Sequence, residues 1–139
     1  MLSEKPSWFI NDASKISDYQ VCPRKYFYAH ILGWRTDTPN IDLVFGDAWH
    51  LAMEQLLKTG YGQDSYELSC MLLLERYRES FDSVMDDSYF PKSPAFAFSM
   101  LERYIEKYSR DHDEFEVLYT EISGSISLTG SALIHFKMD

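Results

Sequence analysis

Cysteine is scarce in this sequence of 139 residues. Only Cys22 and Cys70 are present, too few for a disulfide framework or for a four-cysteine metal site within the chain. Reduced thiols and a cytoplasmic location are the expectation. Basic charge is scarce as well, since 13 Lys and Arg stand against 22 Asp and Glu and leave a formal net charge of -9. That balance excludes a protein that coats nucleic acid indiscriminately, because phosphate binding needs clustered Lys and Arg. It leaves open chemistry on phosphates in which carboxylates hold cations that take the place of basic side chains. No apolar run approaches the length of a membrane span, and the first residues, with Glu4 and Pro6, lack the pattern of a signal peptide. Internal repeats and low-complexity tracts are missing too. The length is that of one domain, and 45% hydrophobic residues are ample for a core.

What is present is best read outward from Phe45-Gly-Asp-Ala-Trp-His-Leu-Ala-Met-Glu54. On a helix, His50 and Glu54 lie on one face, one turn apart, beside an apolar stripe of Trp49, Ala52, Met53 and Leu56. The histidine then sits at the margin of a docked helix, where a cleft is within reach. Imidazole is a common metal ligand, but one histidine makes no site, and on spacing alone a boundary histidine bonded to its own Glu54 is the favoured reading.

Upstream, Asn11-Asp12-Ala13-Ser14 predicts a capped helix carrying Ile16 and Tyr19. Pro23 then breaks the chain near Cys22 and opens a second helix to about Leu32, stopped by Gly33. Arg24, Lys25 and Arg35 are the densest positive charge in the chain, interleaved with Tyr26, Phe27, Tyr28 and Trp34. Such a mixture suits a nucleic-acid backbone with stacked bases, and it equally suits aromatic residues of a core. Downstream, the periodicity predicts helices near residues 43 to 59, 65 to 85 and 93 to 110. Ser65 is the predicted cap of the middle one, with Leu68, Leu72, Tyr77, Phe81 and Val84 as its stripe. Ser93-Pro94 opens the last, with Ala97, Leu101, Tyr104, Ile105 and Tyr108 inward. The charged run Asp111-His112-Asp113-Glu114 reads as a solvated turn that ends it.

From Phe115 the period changes to two. Phe115, Val117, Tyr119 and Glu121 share one face of a predicted strand, where Glu121 must be paired, coordinated or at a strand end in water. Ser125 to Leu128, a turn at Thr129-Gly130, and Ala132 to Asp139 complete a hairpin or meander, with Leu133, His135, Lys137 and Asp139 on one face. An unfinished edge at the C-terminal strand is expected to recruit another strand, by self-association or from a partner chain.

Three pieces stand in a telling order. They are Ser14-x-x-Ser17-x-Tyr19-x-x-Cys22-Pro23-Arg24-Lys25-Tyr26-Phe27, then Phe45-Gly46-x-x-x-His50-x-x-x-Glu54, then the Glu121 strand. This order resembles the N-terminal half of RecB-like nucleases of the PD-(D/E)XK superfamily, of bacterial or phage type. The resemblance implies an α+β fold in which a helical N-terminal array packs on the beginning of a mixed sheet with a restriction-endonuclease-like core. Residues 1–139 would be the N-terminal portion of one such domain.

Carried over residue by residue, His50 matches the family's helix histidine near the metal, and Asp139 best matches its strand aspartate. A register counted from Gly130 puts Leu133 there instead and loses the ligand. The family's acidic-x-lysine strand has no counterpart before the sequence ends. The resemblance therefore implies Mg²⁺ or Mn²⁺ held by His50 and Asp139, Glu121 as a nearby carboxylate, and DNA met by Arg24, Lys25 and Arg35. In many members the cysteine at the position of Cys22 belongs to a 4Fe-4S cluster whose other ligands lie far downstream; a small buried residue is the reading for Cys22 here. The implied work is DNA hydrolysis, of exonuclease or endonuclease type, in recombination, repair or phage DNA processing, without activity from this chain alone. A non-catalytic helical assembly module is the alternative. Coding sequence beyond Asp139 that contains an acidic-x-lysine strand favours the nuclease, and a stop codon there favours the module.

Overall fold

The computed structural model describes residues 8–130 and 132–138. It is an α+β chain of restriction-endonuclease-like type, mostly helical with a three-stranded mixed sheet. The chain forms two compact units, one made of residues 1–37 together with 121–139, the other of residues 38–120.

In the first unit, β1 (Ile10–Asn11) leads directly into α1 (Ala13–Val21). The Asp12 carboxylate accepts from the Lys15 N–H at 2.8 Å and so fixes the start of that helix, as the sequence predicts. Cys22 closes α1 through its N–H to the Asp18 carbonyl and opens α2 (Pro23–Tyr26), with proline at the first helical position. The helix then widens into a π-turn over Phe27–Ile31. Gly33, at φ 78°, stops it as expected.

The hairpin β2 (Ile122–Thr129) and β3 (Ala132–Met138) is antiparallel, with Ile126 opposite Ile134 and Gly124 opposite Phe136. β1 adds on the far side of β3 in parallel, Ile10 beside Leu133 and Asn11 beside Ile134. Ala132, Ile134 and Phe136 face inward, while Leu133, His135 and Lys137 face water together. The C-terminal strand thus lies between β1 and β2 where it begins, which corrects the expectation that this strand is the unfinished edge of the sheet.

In the second unit, α3 (Ile41–Thr59) is capped by Asn40, whose side-chain oxygen accepts from the N–H groups of Asp42 and Leu43. It ends at Gly60, φ 93°. The following helix, α4 (Gln63–Arg78), starts earlier than its sequence indicates, with Gly62 at the cap. Ser65 instead sits in the first turn and donates to the Thr59 carbonyl at 3.4 Å, tying α4 back to the end of α3. α4 also ends earlier, because Arg78 bonds forward to the Phe81 carbonyl and to Asp86 and folds the chain into a turn with a short 3-10 segment, Ser83–Met85. α5 (Pro94–Lys107) and the short α6 (Asp111–Glu114) follow.

Ala48, Ala52 and Leu56 of α3 meet Leu73 and Tyr77 of α4, Phe81, and Ala97 and Leu101 of α5 in one core. The two alanines one turn apart allow close helix approach. The inward stripe of α4 is Ser69, Leu73 and Tyr77, so Leu68 and Val84 point to water, against the stripe read from the sequence. The alternation from Phe115 to Tyr119 is not a strand. It finds no ladder partner among the described residues, leaves Phe115, Leu118 and Tyr119 exposed, and β2 begins only at Ile122.

Candidate functional site

His50 owes its place to the α3 stripe. With Ala48, Ala52 and Leu56 fully buried and Trp49 and Met53 packed against them, position 50 falls just outside the buried arc, and its imidazole is exposed. Glu54, one turn on, accepts from the Lys58 ammonium and, at 3.2 Å, from the Thr120 hydroxyl, so its carboxylate anchors the chain where the second unit ends. The helix margin expected from the sequence is present, and it is acidic. Beside it, Leu57 and Lys58 line an open groove of about 410 Å³ with residues 113 to 117, among them Asp113, Glu114 and Glu116.

Glu121 belongs to the first unit, His50 to the second. Glu121 lies just before β2 and is exposed, and its carboxylate accepts from the Lys137 ammonium at 2.9 Å. The carboxylate that the alternating pattern puts on an aromatic face is therefore both paired and in water. Asp139 lies outside the described residues. Among the described residues, no three His, Cys, Asp or Glu side chains stand together as a cation would need. A divalent ion requires several oxygen or nitrogen ligands converging from different elements.

The Cys22-Pro23-Arg24-Lys25 segment is built more tightly. The Cys22 thiol accepts from the Lys25 N–H at 3.5 Å, acting as the cap of α2. Asp18 collects the Lys25 ammonium at 2.6 Å and the His30 Nε2–H at 2.9 Å. These two hydrogen bonds, Lys25 first, hold the Asp18 carboxyl below its ordinary value of 3.8. Lys25 is thereby engaged within the unit. Arg24 and Arg35 make no ion pair among the described residues, so their charge remains available. Cys70, on α4 in the other unit, is half-buried, and desolvation pushes its thiol up.

The match that decides the family spans residues 13–132, from the first residue of α1 to the first residue of β3, and its description is the PD-(D/E)XK nuclease superfamily. The chain belongs to that superfamily. The PD-(D/E)XK match includes the Cys-Pro-Arg-Lys segment, the His50 helix and Glu121, and it stops before Asp139. Nucleases of this superfamily act on nucleic acid and generally use Mg²⁺ or Mn²⁺. No curated protein and no solved structure matches the chain. Among the described residues of this PD-(D/E)XK chain, no helix is long and apolar enough to cross a membrane.

Two features escape the sequence reading. The Asp18, Lys25 and His30 cluster joins α1 to the π-turn, and its only sequence signal is an acid one helix away from a lysine and a histidine. The other is an ordered ring pair: Tyr28 and Trp34 are stacked with centroids 4.8 Å apart. Gly33 immediately before Trp34 is the signal that the chain doubles back there.

Proposed function

We propose that residues 1–139 form the N-terminal portion of one metal-dependent DNA nuclease domain, RecB-like, of exonuclease or endonuclease type. Its place is the bacterial or phage-infected cytoplasm, in recombination, repair or phage DNA processing. The observation that carries this reading is the ordered pair of segments inside the family match, the Cys22-Pro23-Arg24-Lys25 helix start and the Gly46-x-x-x-His50 helix. Phosphodiester hydrolysis needs an activated water and relief of negative charge on the phosphate, and Mg²⁺ or Mn²⁺ supplies that relief when bound. In this reading His50 and Asp139 are the ligands this chain contributes, Glu121 is a neighbouring carboxylate, and Arg24, Lys25 and Arg35 meet the DNA backbone. An acidic-x-lysine pair on a further strand completes the set. Cys22 becomes a 4Fe-4S ligand only if downstream cysteines join it.

The experiment is a cleavage assay on single-stranded and duplex DNA with Mg²⁺ or Mn²⁺. The 139-residue chain is expected to be inactive. The chain extended by its downstream coding sequence is expected to cleave, and Asp139→Ala and His50→Ala each to lower the extended chain's rate at least about a hundredfold, the scale on which single metal-site groups act. Cleavage by the 139-residue chain itself would show the site to be misplaced, and a folded, inactive extended chain would overturn the nuclease reading.

Self-association belongs to the same reading. β1 covers only Leu133 and Ile134, so the β1 side of β3 from His135 to Met138 has no ladder partner among the described residues. A further strand, from a second copy or from downstream sequence, is the fitting neighbour. Light scattering that shows a clean monomer at all concentrations removes the second copy from this account.

A further inference from the structure

Of the three tryptophans, Trp8 and Trp49 are half-buried, whereas Trp34 is 64% exposed. It is nonetheless held in place. Gly33 takes a left-handed backbone conformation, φ 78°, and the returning Trp34 N–H donates to the Tyr28 carbonyl at 2.9 Å. The indole then rests on the Tyr28 ring with the two planes 22° from parallel. Arg24 stands one helical turn before Tyr28, with its guanidinium carbon 5.7 Å from the centre of the Tyr28 ring. A tryptophan with one face on a tyrosine and most of its surface in water keeps its other face uncovered. A backbone turn and a ring contact that fix an indole in that state present it for a planar partner.

Charge indicates what kind of partner. By sequence, the unit that carries this stack holds six of the 13 Lys and Arg and six of the 22 Asp and Glu, leaving seven against sixteen on residues 38–120. The whole net charge of -9 thus lies on the other unit, and a polyanion is repelled there and not here. Arg24, at the stack, and Arg35, next to Trp34 in sequence, have no carboxylate partner among the described residues. A planar ring joined to negative charge describes a nucleotide. Within a duplex the faces of the bases are covered by their neighbours except at the terminal pairs, so along the strand it is an unpaired base that has a face to lay on Trp34.

We propose that Trp34, Tyr28 and Arg24 form a stacking platform for an unpaired base of single-stranded DNA, with Arg35 meeting a flanking phosphate. This rests on the reading of the chain as part of a DNA nuclease, and it gives that nuclease a preference for single-stranded over duplex DNA.

The test uses the purified 139-residue chain with a fluorescein-labelled oligothymidine of about 12 nucleotides and a blunt duplex of the same length, at about 0.1 M salt. Anisotropy reads affinity, and intrinsic emission reads the indole. The single strand is expected to bind at least about tenfold more tightly than the duplex and to quench emission. Trp34→Ala should weaken binding by about fivefold to a hundredfold, the effect of losing one stacked base. Trp34→Phe should keep most of the affinity and lose the quenching, a readout that stands even if the alanine variant folds poorly. Equal affinity for strand and duplex, or unchanged binding by a folded Trp34→Ala, overturns the platform and leaves the nuclease reading to its own cleavage assay. The platform falls in the same way if only Arg24→Ala and Arg35→Ala weaken binding. Binding to neither DNA overturns the platform and the DNA contacts assigned to Arg24 and Arg35 together. Quenching by an aromatic or proline-rich peptide, with none by DNA, assigns the surface to a protein and overturns the proposal as well.

Discussion

Replacing Asp86 by alanine removes the acceptor of a two-pronged clamp. Arg78, the last residue of α4, donates from Nη1 to Oδ1 of Asp86 at 2.7 Å and from Nη2 to Oδ2 at 2.6 Å, with a longer bond of 3.3 Å to the Phe81 carbonyl. The clamp closes the turn that sets Phe81 against Tyr77 and Tyr89. Desolvated charge-assisted bonds contribute about 1.5–3 kcal/mol and exposed ion pairs about 0.2–1 kcal/mol. With side chains 29% and 27% exposed, this pair falls between those limits, and solvent screening removes the upper part of the range. A coupling of about 1–1.5 kcal/mol follows, with a fall in Tm of roughly 5 °C for Asp86→Ala.

The pH dependence has a definite sign. Hydrogen bonding to Arg78 holds the Asp86 carboxyl below its ordinary value of 3.8, so the folded chain takes up that proton less readily than the unfolded chain. The stabilisation is complete above the unfolded value and is lost as pH falls through the folded one. Urea unfolding of the parent, Arg78→Ala, Asp86→Ala and the double variant, at pH 7 and in strong acid, measures the coupling as a cycle. A coupling under about 0.3 kcal/mol at pH 7, or one unchanged in acid, refutes this account.

Gly124→Ala places a Cβ 2.6 Å from the Cζ of Phe136 on the opposite strand, so the ring must shift; a loss of about 1–3 kcal/mol in urea unfolding is expected, relieved by Phe136→Leu, and parent-like stability would deny the close approach. Ser69→Ala removes a buried hydroxyl that has no hydrogen-bond partner among the described residues, so stability should stay level or rise by up to about 1 kcal/mol, whereas a loss would reveal a hydrogen bond at that oxygen. Leu73→Ala empties a fully buried position between α3 and α4 and should cost about 2–5 kcal/mol by the same measurement; a cost under about 1 kcal/mol would contradict the packing of those helices.

The long helices are readable because local signals agree: Asn40 and Gly60 bracket α3, Pro94 opens α5, and the apolar residues between them recur at the helical period. The stripe of α4 misleads because leucine suggests the core, whereas the inward column passes through Ser69 and leaves Leu68 outside. Phe115 to Tyr119 misleads for a different reason. Alternation describes a strand only where another strand is there to bond it, and no ladder residue stands opposite this stretch among the described residues. β1, two residues long, is too short for any period, and the π-turn depends on one extra residue per turn that no pattern announces. At the site, the His50 helix and the capped Cys22-Pro23 break are legible. The pairing of Glu121 with Lys137 is not, because it depends on how the two strands of the hairpin align.

The parallel pairing of Ile10 with Leu133 means that the first unit is completed after the second during synthesis. Residues 38–120 form an uninterrupted segment with its own core, and they can close while the ribosome is still adding β2 and β3. The first helices must wait through that interval with β1 unpaired, since its partner strand β3 emerges only after the whole second unit. The wait has little effect on final stability, because loop-closure entropy grows only as the logarithm of the intervening length. Its effect is on rate, since contacts so distant in sequence form slowly, and on exposure, since an N-terminal segment awaiting its strand is open to proteases and to the edges of other chains.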